Sequence, residues 1–173
     1  MVRSAAFVVV ANLALVAASA RAEVKVELTM THLCCGQCVT AVEKVLEKAK
    51  VKGTANQEES KVEFTAADAK AAQQVVDALA AAGFHGVTNS KEVSVKNDSG
   101  VKEGKVKSLT LKGLHNCCGS CNKSIKKAVK SVAGVESDDA KAKSSTLTVK
   151  GDFDGAALVK ALNDAGFHVT AEQ

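Results

Sequence analysis

An internal repeat constrains the fold of this chain more than any other feature of its sequence. The string HLCCGQC begins at His32, and HNCCGSC begins 83 residues later, at His115. Farther along, the string AGFH at Ala82–His85 returns at Ala165–His168 with the same offset of 83 residues. The repeat therefore extends well beyond the cysteine string, and the sequence predicts two similar domains.

Each copy shows the same order of expected secondary structure. In the first copy an alternating strand from Val24 to Met30 precedes the cysteine loop, and a helix with apolar residues three and four apart follows the loop. Two short strands, a second helix and a last strand near His85 come next. The second copy repeats this order up to a strand near His168. A β-α-β-β-α-β order is the ferredoxin-like arrangement, so the predicted class is α+β with two tandem ferredoxin-like domains.

Local signals suggest where several elements begin and end. Thr65, with Asp68 three residues later, resembles a helix start. Gly83 and Gly166 should end the second helix of each copy. The predicted organisation has four segments: a signal peptide at 1–22, domains at 23–88 and 105–173, and a polar linker at 89–104, in which Val93 and Val95 could extend the last strand of the first domain.

The first 22 residues have the pattern of a secretory signal peptide. A short basic start precedes a nearly unbroken apolar run from Ala5 to Val16, which is too short for a membrane span of about 20 residues. Overlapping A-x-A sites predict cleavage after Ala20 or Ala22. We therefore expect an exported protein, periplasmic or extracellular, and an uncleaved N-terminal anchor is the alternative.

The charge pattern gives no sign of a nucleic-acid partner. The formal net charge is +4 over 173 residues, which is too small for the basic surface that such partners require. One predicted helix carries a group of four lysines, for which a solvated face is expected and a docking patch for an acidic partner is the alternative. These are Lys123, Lys126, Lys127 and Lys130.

The cysteine loop is the candidate functional site of each copy. Cys35 lies in the loop and Cys38 in the first turn of the following helix, so their sulfurs can converge on one point. The positive end of the helix dipole favours the thiolate form there. Thiolates bind soft ions such as Cu(I), and they also bind Zn(II). Gly36 lets the backbone turn tightly between the two ligands.

With this loop between its first strand and first helix, each copy resembles the heavy-metal-associated domain. That family includes copper chaperones, the tails of metal-transporting ATPases and the periplasmic mercury-binding protein. The resemblance implies that a C-x-x-C pair binds a soft metal ion and hands it to a metal-transporting membrane protein or another acceptor, without catalysis. The matching residues are Cys35 with Cys38, and Cys118 with Cys121.

Both copies depart from the family pattern by an added histidine and cysteine before the pair. These are His32 and Cys34 in the first copy and His115 and Cys117 in the second. One His and three Cys suit tetrahedral Zn(II), and the same donors could hold Cu(I), Cd(II) or Hg(II). We predict two equivalent soft-metal sites, for Cu(I) first, that serve transport, buffering or detoxification. Zinc sequestration is the alternative.

Two other uses of the six cysteines stay open. Structural disulfides suit an exported protein, although three cysteines per copy leave one over and adjacent cysteines are poor partners. The C-G-x-C strings also resemble thiol–disulfide oxidoreductases, but those enzymes face their cysteines with a proline, and this chain has none. No nucleophile–base arrangement appears, so we do not predict an enzyme.

Residues of the AGFH strings could also lie near the metal loops. Phe84 and Phe167 are expected to pack under these loops. For His85 and His168 the sequence favours a surface position over a part in the site.

Overall fold

The computed structural model describes residues 22–29 and 32–172. The predicted signal peptide, apart from its last residue, lies outside the described residues, and so does Met30. The first unit contains β1 (Val24–Thr29), α1 (Gly36–Lys48), β2 (Lys52–Asn56), β3 (Lys61–Ala66), α2 (Ala69–Ala81) and β4 (Val87–Thr88). The second contains β5 (Lys105–Lys112), α3 (Gly119–Lys130), β6 (Val135–Asp138), β7 (Thr146–Asp154), α4 (Gly155–Asp164) and β8 (Thr170–Ala171).

Each unit forms one antiparallel four-stranded sheet. The strand orders are β2-β3-β1-β4 and β6-β7-β5-β8, so the two sheets have the same topology. Together with two helices per unit, this is the ferredoxin-like arrangement. The predicted class, α+β with two tandem ferredoxin-like domains, is confirmed. No helix in the described part of the chain is long and apolar enough to cross a membrane.

Strand β3 shows why each sheet has one buried face. Val62, Phe64 and Ala66 are at most 2% exposed, and they alternate with more exposed residues. Successive side chains of a strand point to opposite faces, so this alternation places one set in the core. Val42 and Leu46, one turn apart on α1, belong to the same core.

Aspartates cap the second helix of each unit. The Asp68 carboxylate accepts the N–H of Ala71 at 2.7 Å, and Asp154 accepts that of Ala157 at 2.8 Å. The helix start predicted at Thr65 was wrong, because Thr65 still lies in β3 and the cap follows three residues later. Gly83 and Gly166 follow these helices with φ of +87°, as predicted.

Residues 89–104, the predicted linker, pack against the first unit. Val93 is 1% exposed and belongs to the core, although neither it nor Val95 extends strand β4. Ser94 and Gln73 exchange two hydrogen bonds, of 3.1 and 2.9 Å. Farther along, the carbonyl of Ser99 accepts the N–H of Ala171 at 2.7 Å. The segment is therefore fastened to both units.

The two AGFH strings pair with each other and form a backbone contact between the units. Phe84 and Phe167 pair as an antiparallel bridge, and both are at most 1% exposed. The His85 N–H donates to the carbonyl of Gly166 at 2.9 Å, and the His168 N–H donates to that of Gly83 at 3.0 Å. This short pairing fixes how one unit sits against the other.

The four lysines of α3 lie along its outer side. Lys123, Lys127 and Lys130 are exposed, as expected for a solvated face. Lys126 is half-buried, and its ammonium lies 2.7 Å from the carboxylate of Asp138.

Candidate metal centre

The cysteine loops end where the first helix of each unit begins. Cys35 and Cys118 occupy the N-cap positions of α1 and α3, with extended backbones. Cys38 and Cys121 lie in the first helical turn and are fully buried. Both loops therefore direct a half-buried and a buried cysteine towards the positive end of a helix dipole.

The two loops face each other, and all six sulfurs form one cluster. The shortest separation joins Cys34 Sγ to Cys121 Sγ, of the other unit, at 3.2 Å. The sulfurs of Cys38 and Cys121 lie 3.8 Å apart. The sequence predicted one site in each copy, whereas the structure brings both sites together. Further contacts between the units join Cys38 to Cys117 (3.6 Å), Cys34 to Cys118 (3.6 Å) and Cys35 to Cys117 (3.7 Å).

Three overlapping groups of donors could each hold an ion, with donor atoms within 4.8 Å of one another. Two groups combine a histidine and two cysteines of one loop with the buried cysteine of the other loop. The third group contains sulfur only. The groups are His32, Cys34, Cys38 and Cys121; Cys38, His115, Cys117 and Cys121; and Cys34, Cys35 and Cys118. All eight residues singled out in the sequence thus lie in the cluster, and three sulfurs are shared between groups.

The two loop histidines present unused nitrogens. Nε2 of His32 and Nε2 of His115 are buried and have no hydrogen-bond partner. A buried polar atom without a partner destabilises the fold by about 1–3 kcal/mol, and a metal ion would satisfy it. Each ring rests on a phenylalanine of the other unit, His32 on Phe167 and His115 on Phe84, with centroids 4.3 and 4.4 Å apart. The phenylalanines expected under the metal loops therefore support the loops of the opposite unit.

The two buried cysteines, Cys38 and Cys121, have pKa values that are shifted in opposite directions. Interaction with the thiol of Cys38 lowers the pKa of Cys121 well below that of a free thiol, although burial opposes this shift. The same interaction raises the pKa of Cys38, and burial raises it further. A thiolate at Cys121 places negative charge at the centre of the cluster, and negative charge attracts a cation.

The N-terminus of α1 affects the pKa of Cys35, the less buried cysteine of the C-x-x-C pair in the first loop. Burial raises the pKa of Cys35, but the backbone N–H of Cys38 and the thiol of Cys117 outweigh it and lower the pKa to about 7. Burial lowers the pKa of His115, which keeps its imidazole neutral at pH 7. Thiolate and neutral imidazole are the forms in which these side chains bind metals.

Asn116 braces the second loop, a role that the sequence did not suggest. Asn116 is 4% exposed, and its amide donates to the carbonyl of Lys141 at 2.9 Å and to Asn122 Oδ1 at 3.0 Å. Leu33 holds the same position in the first loop and is buried without polar contacts. The two loops are thus supported by different chemistry, which the difference between Leu33 and Asn116 in the two strings could have indicated.

His85 and His168 are in none of the sulfur-containing groups. His168 is 6% exposed, so the expected surface position was wrong for this residue, because the contact between the units covers it. His85 is half-buried at the same contact.

Comparison with known proteins finds one family match, within the second unit. Residues 108–168 match the family model described as heavy-metal-associated domain. No curated protein matches the chain. Among solved structures, the solution structure of the N-terminal soluble domains of Bacillus subtilis CopA is similar, with 16% identity over 88% of this chain and 95% of that chain and a TM-score of 0.32. Over residues 108–168, the second unit is therefore similar to the heavy-metal-associated domain.

Proposed function

We propose that this protein binds thiophilic heavy-metal ions, Cu(I) first, in one centre that both cysteine loops build together. One observation carries the proposal: each of the six sulfurs lies within 3.2–3.8 Å of at least two others, across two units. The family match over residues 108–168 supports heavy-metal binding in general.

The sulfur spacing suits shared coordination of soft ions. With metal–sulfur bonds of about 2.3 Å, two sulfurs on one tetrahedral ion lie about 3.8 Å apart. The observed separations of 3.2–3.8 Å therefore need little adjustment. Cu(I) prefers thiolate sulfur, and the cluster contains more sulfurs than one ion can bind.

Zinc sequestration is the second candidate, and the two groups of one His and three Cys favour it. Both groups use the sulfurs of Cys38 and Cys121, so two zinc ions would have to share these ligands. Independent zinc sites are therefore not compatible with the paired loops. In a centre of sulfur-bridged Cu(I) ions, by contrast, cysteine ligands shared between ions are part of the bonding.

In this proposal the metal ions are cargo and the protein is not an enzyme. The pattern of the first 22 residues supports export, and the role would be transport, buffering or detoxification outside the cytoplasm. Cys35 and Cys118 are less buried than Cys38 and Cys121, so within each C-x-x-C pair they are the sulfurs more accessible to a donor or acceptor. A metal-transporting membrane protein or a soluble acceptor is the expected partner.

The test compares two single substitutions in an anaerobic titration with Cu(I) and Zn(II) against competing chelators. Cys121 belongs to two of the three donor groups and Cys118 to one. We expect Cys121→Ser to weaken Cu(I) binding by at least tenfold at every equivalent, and Cys118→Ser to weaken it less. Tighter binding of Zn(II) than of Cu(I) would favour zinc sequestration. If neither ion binds and untreated protein contains no free thiols, a disulfide or redox role replaces the proposal.

A further inference from the structure

The contact between the units contains a pair of histidines that lies apart from the sulfur cluster. Nδ1 of His85 and Nδ1 of His168 are 3.3 Å apart. The rings are almost parallel, at 12°, and their centroids are 5.6 Å apart. These values place both nitrogens on the line between the ring centres, so the nitrogens face each other head-on, as in an N–H···N hydrogen bond. Such a bond requires that only one of the two nitrogens carries a proton.

Asp98 determines which nitrogen carries this proton. Oδ1 of Asp98 lies 3.0 Å from Nε2 of His168 and accepts the proton of that nitrogen. Neutral His168 therefore presents the lone pair of its Nδ1, and Nδ1–H of His85 donates to it. A first added proton still leaves one donor and one acceptor in the pair. A second added proton leaves two N–H groups, and two positive charges, facing each other at 3.3 Å.

The pair lies directly beside the backbone contact between the units. Each histidine donates its N–H to a glycine carbonyl of the opposite unit, at 2.9 and 3.0 Å. The residues just before them, Phe84 and Phe167, form the bridge, and each of these rings rests on a loop histidine of the other unit. Repulsion between the two imidazoles therefore acts on the residues that support the cysteine loops.

We propose that the His85–His168 pair makes the contact between the units sensitive to acid, so that a second proton on the pair opens this contact and separates the two cysteine loops. Every donor group of the sulfur cluster combines residues of both loops, so opening would divide each group and release its ion. This consequence for bound metal rests on the function proposed above, whereas the opening itself requires no metal.

The charged groups around the pair do not cancel the effect. Burial, and after it the neighbouring His168, lowers the pKa of His85 to about 4, although Asp164 and Asp98 oppose the shift. Asp164 also pairs with Lys160 at 2.6 Å, which weakens its attraction for a proton on His85. The other charged side chains that line the cavities beside the pair are Glu103 next to His85, and Asp77, Lys96 and Lys112 next to His168.

The direction of the pH effect follows from the lowered pKa of His85. In the opened form this imidazole is in water, where a histidine has a pKa of about 6.5. The opened form therefore binds the proton more tightly, and opening is favoured as pH falls from about 6.5 to about 4. For one proton, the equilibrium constant of opening rises by at most about tenfold per pH unit, and it levels off once the closed form is protonated as well.

Hydrogen exchange on the metal-free, reduced protein tests the proposal. The backbone N–H groups of His85 and His168 exchange with solvent only when the contact opens, so their protection factors report the equilibrium constant of opening. We expect both protection factors to fall by at least about tenfold between about pH 6.5 and pH 4.5. The amides of β3 should not follow this fall, because β3 pairs only with strands of the first unit.

A substitution of His85 separates the imidazole from the other groups that titrate in this range. In His85→Gln the side chain can still donate a hydrogen bond but cannot be protonated, so the amide of His168 should keep its protection as pH falls. Glu103→Gln is the matched control, because it removes an exposed carboxylate of the same groove and should leave the fall unchanged. If His85→Gln does not fold, NMR titration of the ring nitrogens in the unsubstituted protein carries the test, and His85 should stay neutral down to about pH 4.

Protection factors that do not change with pH, an equal fall in the unsubstituted protein and in His85→Gln, or an ordinary midpoint of about 6.5 for His85 would overturn the proposal. Its failure is distinguishable from failure of the proposed function. Copper affinity at pH 7 tests the shared sulfur centre, whereas hydrogen exchange on the metal-free protein tests the histidine pair.

Discussion

Gly83 is the residue at which the first unit comes closest to the loop of the second. Its φ is +87°, and an added Cβ would lie 2.5 Å from the carbonyl oxygen of Gly113 and 2.5 Å from the backbone nitrogen of His115. Glycine is therefore required twice, once by its backbone conformation and once by the close approach. The loop that presents His115 to the cluster can reach its position only because no side chain is present at Gly83.

Substitutions at three glycines distinguish the effect of backbone conformation from the effect of close approach. Gly36 has open space around it and an ordinary φ, and Gly100 has open space but a φ of +69°. We expect Gly36→Ala to change the free energy of unfolding by less than about 0.5 kcal/mol. Gly100→Ala should destabilise by about 1–2 kcal/mol, from backbone strain alone. Gly83→Ala should destabilise by about 3 kcal/mol or more, from strain and overpacking together.

Urea unfolding of the three variants measures these differences. Equal losses for Gly83→Ala and Gly100→Ala would mean that the two units do not approach each other in solution as described.

At the scale of elements, local sequence explains most of the fold. Apolar alternation predicted β1, and apolar residues three and four apart predicted α1, because these patterns depend only on which face is buried. The start of α2 was missed because Thr65 and Asp68 are both good capping residues, and only the extent of β3 decides between them. The burial of Val93 depends on how residues 89–104 dock, which no local pattern reports.

An ion pair tests how this segment is fastened to α2. The ammonium of Lys96 lies 2.8 Å from the carboxylate of Asp77. Burial raises the pKa of Asp77, but Lys96 and Gln73 outweigh it and lower the pKa below 3.8. A carboxyl whose pKa is lower in the folded state stabilises the fold above its unfolded pKa, and this stability is lost as pH falls through the folded pKa.

We therefore expect Lys96→Gln to destabilise the protein at pH 7 by a few tenths of a kcal/mol up to about 1 kcal/mol, since both groups are exposed. The difference should shrink as pH falls through the lowered folded pKa of Asp77, because a protonated carboxyl no longer pairs with the ammonium. Lys91→Gln, on an exposed lysine of the same segment, is the matched control. Chemical unfolding at pH 7 and pH 3 provides the measurement, and equal effects of the two substitutions would show that the pair does not fasten the segment.

At the scale of the whole molecule, all the residues of the cluster could be identified from the sequence. That the two loops share them in one cluster could not. The doubled string named eight candidate ligands, because cysteine and histidine next to a helix start are a local signal. The placement of one loop on the other depends on the pairing of Phe84 with Phe167, residues 83 positions apart in sequence. A contact between residues so far apart in sequence leaves no pattern in the cysteine strings. The sequence alone therefore predicts two separate sites.

The central claim is that the two loops form a single centre. The most direct test is an anaerobic Cu(I) titration, against a competing chelator, of the protein and of a variant in which all three cysteines of the first loop are serine. A shared centre predicts that the copper left on the second loop binds at least tenfold more weakly than in the unsubstituted protein. Half the stoichiometry at unchanged affinity would contradict the account and restore two independent sites.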